Sequence, residues 1–494
     1  MADEIKDLEG IDIQFSSGAG PDDLMLHGVW GRERISRLFS FDLLLSRAKG
    51  PLTDAELDAL LKAPCAIALG THAGDVVHGV LESIDVLDQT SAVAARYIAR
   101  LVPSVWLLTL GRASRIYQDT TIPDMVRLIL QSYGMKEGNQ FNILVSRAVK
   151  SPKREYVVQY QESDWDFIQR WLENEGFFFW FSHDAKGEML IIADENDDAT
   201  ELTDPEKVPY RERNNLSSGG ISTIWNWTLH QRRIPARLAL LDYNHRRPDL
   251  ALAVNQPVDP ERGFGTVVSY GEHFKNNDVG AAIATLRAEQ LRSERRIYAG
   301  VTDCARFRVG HSFVLDDHYD TANDGKYLIT SIEHRVGQPF DQENEYPQRY
   351  SATFEAIPFD VAYRPERITP WPRIHGFVHA HIDSDSEGDF ADLDSEGRYR
   401  VRMPFDMTLK KGTAASRWIR MSQPYAGAGY GSHHPLHKGS EVLISHVEGD
   451  PDRPVIMGSI PNAHTLSPTT SANASQSVVQ TASGIRVEYE DLQS

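Results

Sequence analysis

The sequence predicts a mainly β protein with a few helices, organised as about three domains. Segments in which apolar and polar residues alternate, as they do along half-buried strands, dominate over segments with helical periodicity. In 155–161, for example, Tyr156, Val158 and Tyr160 point to one side and the residues between them to the other. The chain has 494 residues, and domains usually hold about 100–200 residues each.

Other predicted strands are short and separated by turn residues. Segments 177–181 and 189–193 are almost entirely apolar, which is typical of buried strands, and Gly187 lies in the turn between them. Further strand patterns occur at 312–316, 327–332 and 350–357.

Three segments have the pattern of helices. In 121–133, Thr121 is a suitable N-cap and Pro123 lies in the first turn. In 163–175, Ser163 and Asp166 fit a capping box ahead of an apolar stripe. The third segment, 278–296, is rich in strong helix formers.

Two changes of composition indicate domain boundaries. The segment 364–374 contains Pro365, Pro370 and Pro372, and prolines at this density resist both helix and sheet, which predicts a linker. Residues 463–483 are mostly Ser, Thr, Ala and Gln, which indicates a polar connector. A short alternating strand follows at 485–489, and it has no predicted partner in its own chain.

The segment between these boundaries is compact and rich in turns. It opens with a strand at 376–383, followed by 394–405, where Tyr399, Val401 and Met403 alternate with three arginines. We expect the arginine face, Arg398, Arg400 and Arg402, to be solvated. A strand with Val442, Ile444 and Val447, a turn at 448–454 and a last strand complete the block. Five strands in such a short segment predict a small Greek-key barrel of the OB type.

The overall charge and the cysteines exclude several classes of partner and site. The formal net charge of −19 repels phosphate backbones and disfavours anionic membrane surfaces, so we expect no nucleic-acid partner. Cys65 and Cys304 are isolated and are expected to be buried free thiols rather than a disulfide or zinc site. The acidic start MADEIKDLEG lacks a signal-peptide pattern, and no segment offers about 18 apolar residues for a membrane helix.

Histidines cluster twice in the barrel segment, at His375, His379 and His381 and at His433, His434 and His437. Neither cluster has a neighbouring cysteine or the HExxH spacing of a catalytic zinc site. We therefore expect polar surface and loop packing here, and we assign no metal site.

Carboxylates occur in pairs at Glu162 and Asp164, Asp166 and Glu173, and Asp316 and Asp317. Glycosidases need two carboxylates at a set separation in a cleft. Asp166 is already assigned to a capping box and Glu173 lies on the same helix, so we expect structural or solvated roles. Gly427, Gly429 and Gly431 are expected to be turn glycines, because no helix N-terminus follows them. We assign no catalytic residue and no cofactor.

The barrel segment resembles a known family. The stretches GRYRVRMPF (397–405), WIRMSQPYAGAGYG (418–431) and HPLHKGSEVLISHVEGDPDRPVIMGSIPN (434–462) are similar to the barrel of VgrG proteins, the spikes of type VI secretion systems, and of related phage tail spikes. Upstream, REYVVQYQESDWDFIQRWLENEGFFFWF (154–181) resembles the strand–helix–strand signature of the family's hub region. Weaker similarity at 76–85 and 327–335 extends the match over nearly the whole chain.

This resemblance implies a domain order. Residues 1–365 are expected to form a phage tail hub of two β-barrels with a small α/β insert, and 366–462 the OB-fold barrel. Residues 463–494 would form a polar connector and the start of a trimeric β-helix needle.

The resemblance also implies a mechanical function rather than an enzymatic one. Three copies would form a spike whose base docks on a tube of Hcp hexamers, beside baseplate proteins, and whose point carries a PAAR-type tip or effectors. The protein would be made in the cytoplasm and exported by contraction of the machine.

Three alternatives stay open. The spike of a phage-like or extracellular contractile particle shares the same hub and barrel, and neighbouring genes would distinguish it. A peptidoglycan-degrading spike would need an added domain with a perturbed carboxylate pair. A soluble receptor-binding β protein would act as an isolated chain and need no tube.

Overall fold

A computed structural model describes residues 13–70, 75–87, 95–146, 152–184, 187–202, 207–212, 221–337, 350–408 and 410–492. The acidic start of the chain, for which no signal peptide is predicted, lies outside these residues. In the described part of the chain the α-helices are α1 (Asp54–Lys62), α2 (Ile122–Ser132), α3 (Asp164–Glu175) and α4 (Asn277–Ser293). None of them has both the length and the apolar character of a membrane span.

The helices α2, α3 and α4 confirm the three helical predictions to within a few residues. The sequence did not indicate α1, because this short helix buries only Leu60 and its apolar stripe is therefore narrow. A capping box between Thr53 and Glu56 begins α1, and the Asn276 side chain accepts a hydrogen bond from the backbone of Val279 to begin α4.

Most of the described chain is in short strands. The first fourteen are β1 (Gln14–Ser17), β2 (Leu24–Arg34), β3 (Ser40–Arg47), β4 (Pro64–Ala68), β5 (Val76–Val86), β6 (Ala95–Val102), β7 (Ala113–Tyr117), β8 (Phe141–Leu144), β9 (Val157–Glu162), β10 (Phe178–Asp184), β11 (Gly187–Ala193), β12 (Thr200–Glu201), β13 (Lys207–Pro209) and β14 (Ile224–Gln231). The next seven are β15 (Arg237–Asp242), β16 (Leu252–Pro257), β17 (Thr266–Tyr270), β18 (Arg296–Thr302), β19 (His311–Asp316), β20 (Gly325–Gly337) and β21 (Ser351–Pro358).

The remaining strands follow the proline-rich segment. They are β22 (Val378–Asp383), β23 (Arg400–Arg402), β24 (Ala426–Gly427), β25 (Tyr430–Gly431), β26 (Glu441–His446), β27 (Pro454–Ser459), β28 (Gln476–Gln480) and β29 (Arg486–Glu490). The prediction that Val447 belongs to a strand is wrong. Val447 begins a 3₁₀ turn in which Glu448 has a positive φ of 57°, because the chain reverses there before β27.

The chain divides into two compact units. The first unit contains Met1–Gly111, Ile122–Pro152 and Asp164–Thr369, and the second contains Arg112–Thr121, Lys153–Ser163 and Pro370–Ser494. Two segments that precede residue 365, and that the sequence therefore placed in the hub, thus belong to the second unit. They carry β7 and β9, which pair with each other.

A large, mostly antiparallel sheet is the framework of the first unit. Its main path runs β1-β4-β5-β6-β3-β2-β20-β21-β18-β14, and β12 and β13 join it through β19. Pairing of β2 with β20 joins segments about 300 residues apart, with Gly28 opposite Gly337 and Arg34 opposite Ser331. This sheet buries alternate residues, including Leu43, Tyr97 and Leu328, as the two-residue period predicts.

Two smaller sheets complete the first unit. The predicted strands at 177–181 and 189–193 are confirmed as β10 and β11, which pair antiparallel with Phe179 opposite Ile192, and β8 adds to β11 in parallel. The strands β16, β15 and β17 form a second sheet. Its buried side shares a core with α4, and together they make a small α/β substructure.

Candidate functional site: the barrel unit, its terminal hairpin and a buried polar cluster

The core of the second unit is shared by segments that are far apart in sequence. Ile116, Tyr156 and Val158, from β7 and the β9 region, pack with Tyr399, Val401, Ile444 and other residues of the predicted barrel. The Asp452 carboxylate accepts a hydrogen bond of 2.6 Å from the backbone of Val158. The apolar side chains of β7 and β9 explain the difference from the predicted domain boundary, because burying them stabilises this unit.

The arginine strand is only partly as predicted. Tyr399, Val401 and Met403 are buried, which confirms the alternation. The expectation of a solvated arginine face is wrong for Arg398, whose Nε donates to Asp394 at 2.7 Å within the same chain, and it is 8% exposed. Arg400 lies 4.1 Å from the centre of the Trp418 ring, a cation–π contact. Of the three arginines, only Arg402 is exposed.

The two histidine clusters make separate local contacts. The Nδ1 atom of His379 lies 2.6 Å from Glu441, whose other oxygen accepts from Asn462 at 2.8 Å. These bonds hold the pKa of Glu441 below its usual value. In the second cluster, His433 bonds Gln423 and His437 packs edge-on against Phe390. Among the described residues, no group of three or more histidines, cysteines and carboxylates is arranged to hold a metal ion.

The glycine loop forms a tight hairpin of β24 and β25. Gly429 has a positive φ of 78°, and a Cβ atom at Gly427 would lie 2.2 Å from the Tyr430 ring. The backbone at Gly429 therefore favours glycine, whereas the contact at Gly427 involves the far end of an exposed ring that can move. Tyr425 and Tyr430 stand exposed with their ring centres 5.2 Å apart.

The carboxylate pairs have structural partners. Asp316 pairs with Lys207 at 3.3 Å and Asp317 with Arg211 at 2.8 Å. Asp164 accepts a hydrogen bond of 2.7 Å from the Tyr133 hydroxyl.

Glu173 is buried on α3, with its side chain 2% exposed. Its carboxylate accepts hydrogen bonds from Arg37, Gln169, Ile368 and Thr369. A carboxylate with this many protein donors holds neighbouring segments together.

A buried polar cluster in the first unit was not predicted. The Nε2 atom of His334 lies 2.8 Å from Glu33 and its Nδ1 atom 2.6 Å from the Tyr350 hydroxyl. Because a carboxylate can only accept, Nε2 carries the proton and the tyrosine donates to Nδ1. Arg308 completes the group, with Nε 3.5 Å from Glu33. Residues this far apart in sequence leave no local pattern, so only the fold brings them together.

Burial controls ionisation in this cluster and in two buried histidines, His183 and His311, that interact electrostatically with Glu33 and Arg308. Desolvation lowers the pKa of His183 to about 3 and that of His311 to about 4. It also lowers the pKa of His334, against the opposing hydrogen bond to Glu33. Burial alone would raise the pKa of Glu33, but the bond from His334 and the charge of Arg308 hold it below its usual value. The cluster is therefore a neutral-histidine network around one ion pair.

The end of the chain is an amphipathic hairpin. The strands β28 and β29 pair antiparallel, with Val479 opposite Val487 and Ser477 opposite Tyr489. The expectation that the strand at 485–489 has no partner in its own chain is therefore wrong, because the predicted connector supplies β28. Since directly opposite residues share a face, Val479, Val487 and Tyr489 form an apolar face. They are 53%, 47% and 65% exposed. An isolated two-stranded hairpin is marginal in water, so this face is suited to burial against another chain.

A mainly β hub-like unit followed by an OB-type barrel unit is the arrangement that comparison with known proteins also finds. Residues 32–340 match the family model of the phage tail baseplate hub (GPD), and residues 390–460 match that of the type VI secretion system/phage-baseplate injector OB domain. The chain belongs to the phage tail baseplate hub (GPD) family. The predicted OB-type domain and the predicted mainly β fold with a few helices are both confirmed.

Similar proteins extend the match over most of the chain. It is 30% identical to the type VI secretion system spike protein VgrG1c of Pseudomonas aeruginosa over 94% of this chain and 64% of that protein. It is 29% identical to the actin cross-linking toxin VgrG1 of Vibrio cholerae over 92% of this chain and 42% of that protein. The predicted resemblance to VgrG proteins is thus confirmed, and the chain spans less than two thirds of the length of these relatives.

A solved structure shows the same fold. An E. coli protein described as a component of the type VI secretion system, structurally similar to the T4 bacteriophage tail proteins gp27 and gp5, aligns with a TM-score of 0.67 and 25% identity. The alignment covers 90% of this chain and all of that one.

Proposed function

We propose that this chain is the spike of a contractile injection machine of the type VI secretion kind, acting as a homotrimer. The observation that carries the proposal is the terminal hairpin, whose apolar face is left uncovered at the end of a unit containing the injector OB domain. Three copies placed about one axis would bury three such faces against each other. The VgrG spike relatives and the hub family support this arrangement.

The partners follow from the same role. The base of the trimer docks on a tube of Hcp hexamers and contacts baseplate proteins, and the point receives a PAAR-type tip or an effector. The protein is made in the cytoplasm and leaves it when the machine contracts. Its work is mechanical and not enzymatic. In support, Glu173, one of the carboxylates considered as an acid pair, is buried and accepts hydrogen bonds from the backbone and hydroxyl of Thr369.

The mass of the purified chain in solution tests the proposal. Light scattering at micromolar concentration should give three times the monomer mass of 55.5 kDa. The trimer should also retain purified Hcp hexamers on a column, whereas an unrelated acidic protein should not. A chain that stays monomeric at the highest soluble concentration would overturn the proposal.

The phage-like or extracellular particle is the second candidate, since the hub family model is that of a phage tail protein. Failure to bind Hcp together with a trimeric mass would favour it.

A further inference from the structure

The proline-rich segment at the end of the first unit is held in place by side chains. Residues 364–369 form no helix or strand, as the prolines within and just after them predict, so they lack the backbone ladder of regular structure. They nevertheless contribute deeply buried groups, with Arg364 3% exposed. The predicted linker is therefore a bound strap over these six residues, and we call it the strap.

Carboxylates from three elements bind the strap. The Glu289 carboxylate, on α4, accepts from Arg364 Nε at 2.8 Å. Glu272, after β17, accepts two bonds from Arg367 at 3.0 and 2.8 Å, and its side chain is 4% exposed. Planar two-point pairing of this kind is geometrically specific.

Glu173 holds the last two residues of the strap. Its Oε2 atom accepts the backbone N–H groups of Ile368 and Thr369 at 3.1 and 2.9 Å, and its Oε1 atom accepts the Thr369 hydroxyl at 2.9 Å. Oε1 also accepts from Arg37 at 3.0 Å. The N–H groups of Ile368 and Thr369 thus donate to a side-chain carboxylate, where a strand would offer backbone carbonyls, so the end of the strap depends on Glu173.

The position of Glu173 in the chain gives the contact a mechanical meaning. The second unit begins again at Pro370, immediately after Thr369, and its earlier segment ends at Ser163, immediately before α3. Two of the points at which the chain passes from one unit to the other are therefore tied to α3. After Ser163 the chain runs directly into the helix, and Thr369, just before Pro370, is hydrogen-bonded to Glu173 of that helix.

We propose that the strap is a clamp, held to α3 by Glu173, that transmits tension applied to the chain at Pro370 to that helix. The clamp itself follows from these contacts. Its use in carrying thrust during injection rests on the proposed function.

Trypsin offers a direct test of the clamp, because Arg367 is followed by Ile368 whereas Arg364 is followed by Pro365 and resists cleavage. In Glu173→Gln the side chain loses its charge and presents an N–H group toward donors. Cleavage after Arg367 should accelerate by about tenfold or more, since hydrogen bonds to charged groups are the stronger ones. The control Glu137→Gln removes a carboxylate paired with Arg127 at 2.8 Å elsewhere on the first unit, and it should leave this cleavage unchanged.

Two further measurements separate local release from general unfolding. Hydrogen exchange in Glu173→Gln should rise in peptides covering 364–369 and stay unchanged in those covering β2 and β20. If Glu173→Gln fails to fold, Thr369→Val removes the hydroxyl that donates to Glu173 and accepts from Gln169. It does so at nearly constant shape and should give the same effect at smaller size. Equal cleavage in wild type and both variants, or a rise spread over the whole first unit, would refute the clamp.

Force measurement tests the load. With handles at Tyr319, which is 80% exposed, and at Leu492, the first rupture force should be lower in Glu173→Gln and unchanged in Glu137→Gln. Equal rupture forces in the three proteins would show that the strap carries no load. The result is independent of the trimer mass, so failure of the clamp and failure of the spike assignment are distinguishable.

Discussion

Buried histidines make the first unit sensitive to acid. The pKa of His311 in the folded chain is about 4, below its ordinary value of 6.5, because burial disfavours the charged ring. As the pH falls below 6.5, the unfolded chain takes up a proton that the folded chain refuses, so stability is lost between pH 6.5 and 4. Glu188 acts in the opposite direction, since burial raises its pKa to about 7. Because the two groups have opposite effects, a variant that removes His311 measures its contribution better than the pH dependence of wild-type stability does.

His311→Asn should flatten this acid response. Removing one buried imidazole should reduce the loss of unfolding free energy by about 1 kcal/mol per pH unit between pH 6.5 and 4. Chemical denaturation at several pH values measures it. The exposed His464→Asn should follow the wild-type curve, and an unchanged slope in His311→Asn would contradict the assignment.

Residues within one strand could be predicted, whereas residues joined by the fold could not. The burial of Tyr399, Val401 and Met403 follows from the two-residue period alone. The Glu33–His334 bond joins residues 301 positions apart, and it depends on the register of β2 against β20. No pattern in the sequence encodes that register locally.

Among the elements, the terminal hairpin gives the clearest test of assembly. The double substitution Val479→Lys and Val487→Lys places charges on its apolar face. Each of the two lysines should weaken trimer formation by about tenfold or more, because burying a valine contributes roughly 1.5–3 kcal/mol. Sedimentation of a dilution series measures the dissociation constant.

The opposite face of the hairpin supplies the control. Val478 lies across from Glu488 on the polar face, so Val478→Lys, which makes the same chemical change opposite a carboxylate, should leave the trimer intact. If the control on the polar face weakens the trimer as much as the lysines on the apolar face do, the effect comes from charge alone and the apolar face is not the contact.

The helices show which elements a sequence determines. The segments α2 and α3 carry wide apolar stripes that bury Val126 and Ile129, and Trp165 and Ile168, respectively, and both were predicted. By contrast, the sequence predicted a strand at 155–161, close to β9, but did not predict β7. The core that these two strands join depends on contacts hundreds of residues away.

For the molecule as a whole, charge opposes assembly. A trimer would carry three times the net charge of −19, that is −57. Repulsion between exposed charges is screened over about 10 Å at 0.1 M salt, whereas apolar burial is not weakened by salt in this way.

Raising sodium chloride should therefore strengthen the trimer or leave it unchanged. The alternative, ion pairs from Arg398 to Asp394 of a neighbouring copy, is disfavoured because these two residues already pair within one chain at 2.7 Å. Asp392, another possible partner, is bonded to Ser384. The trimer fraction measured from low to high salt decides it, and dissociation at high salt would show that ion pairs hold the copies together.

The divided core of the second unit limits how such a gene can be rearranged. A fragment that begins at Pro370 carries most of the barrel but lacks Ile116, Tyr156 and Val158, which fill part of its core. Recombination that exchanged only the downstream coding region would pair a foreign barrel with the resident β7 and β9. The two would have to match in shape at these three side chains. Inheritance of the barrel is therefore tied to two short upstream stretches, and these should change together in descent.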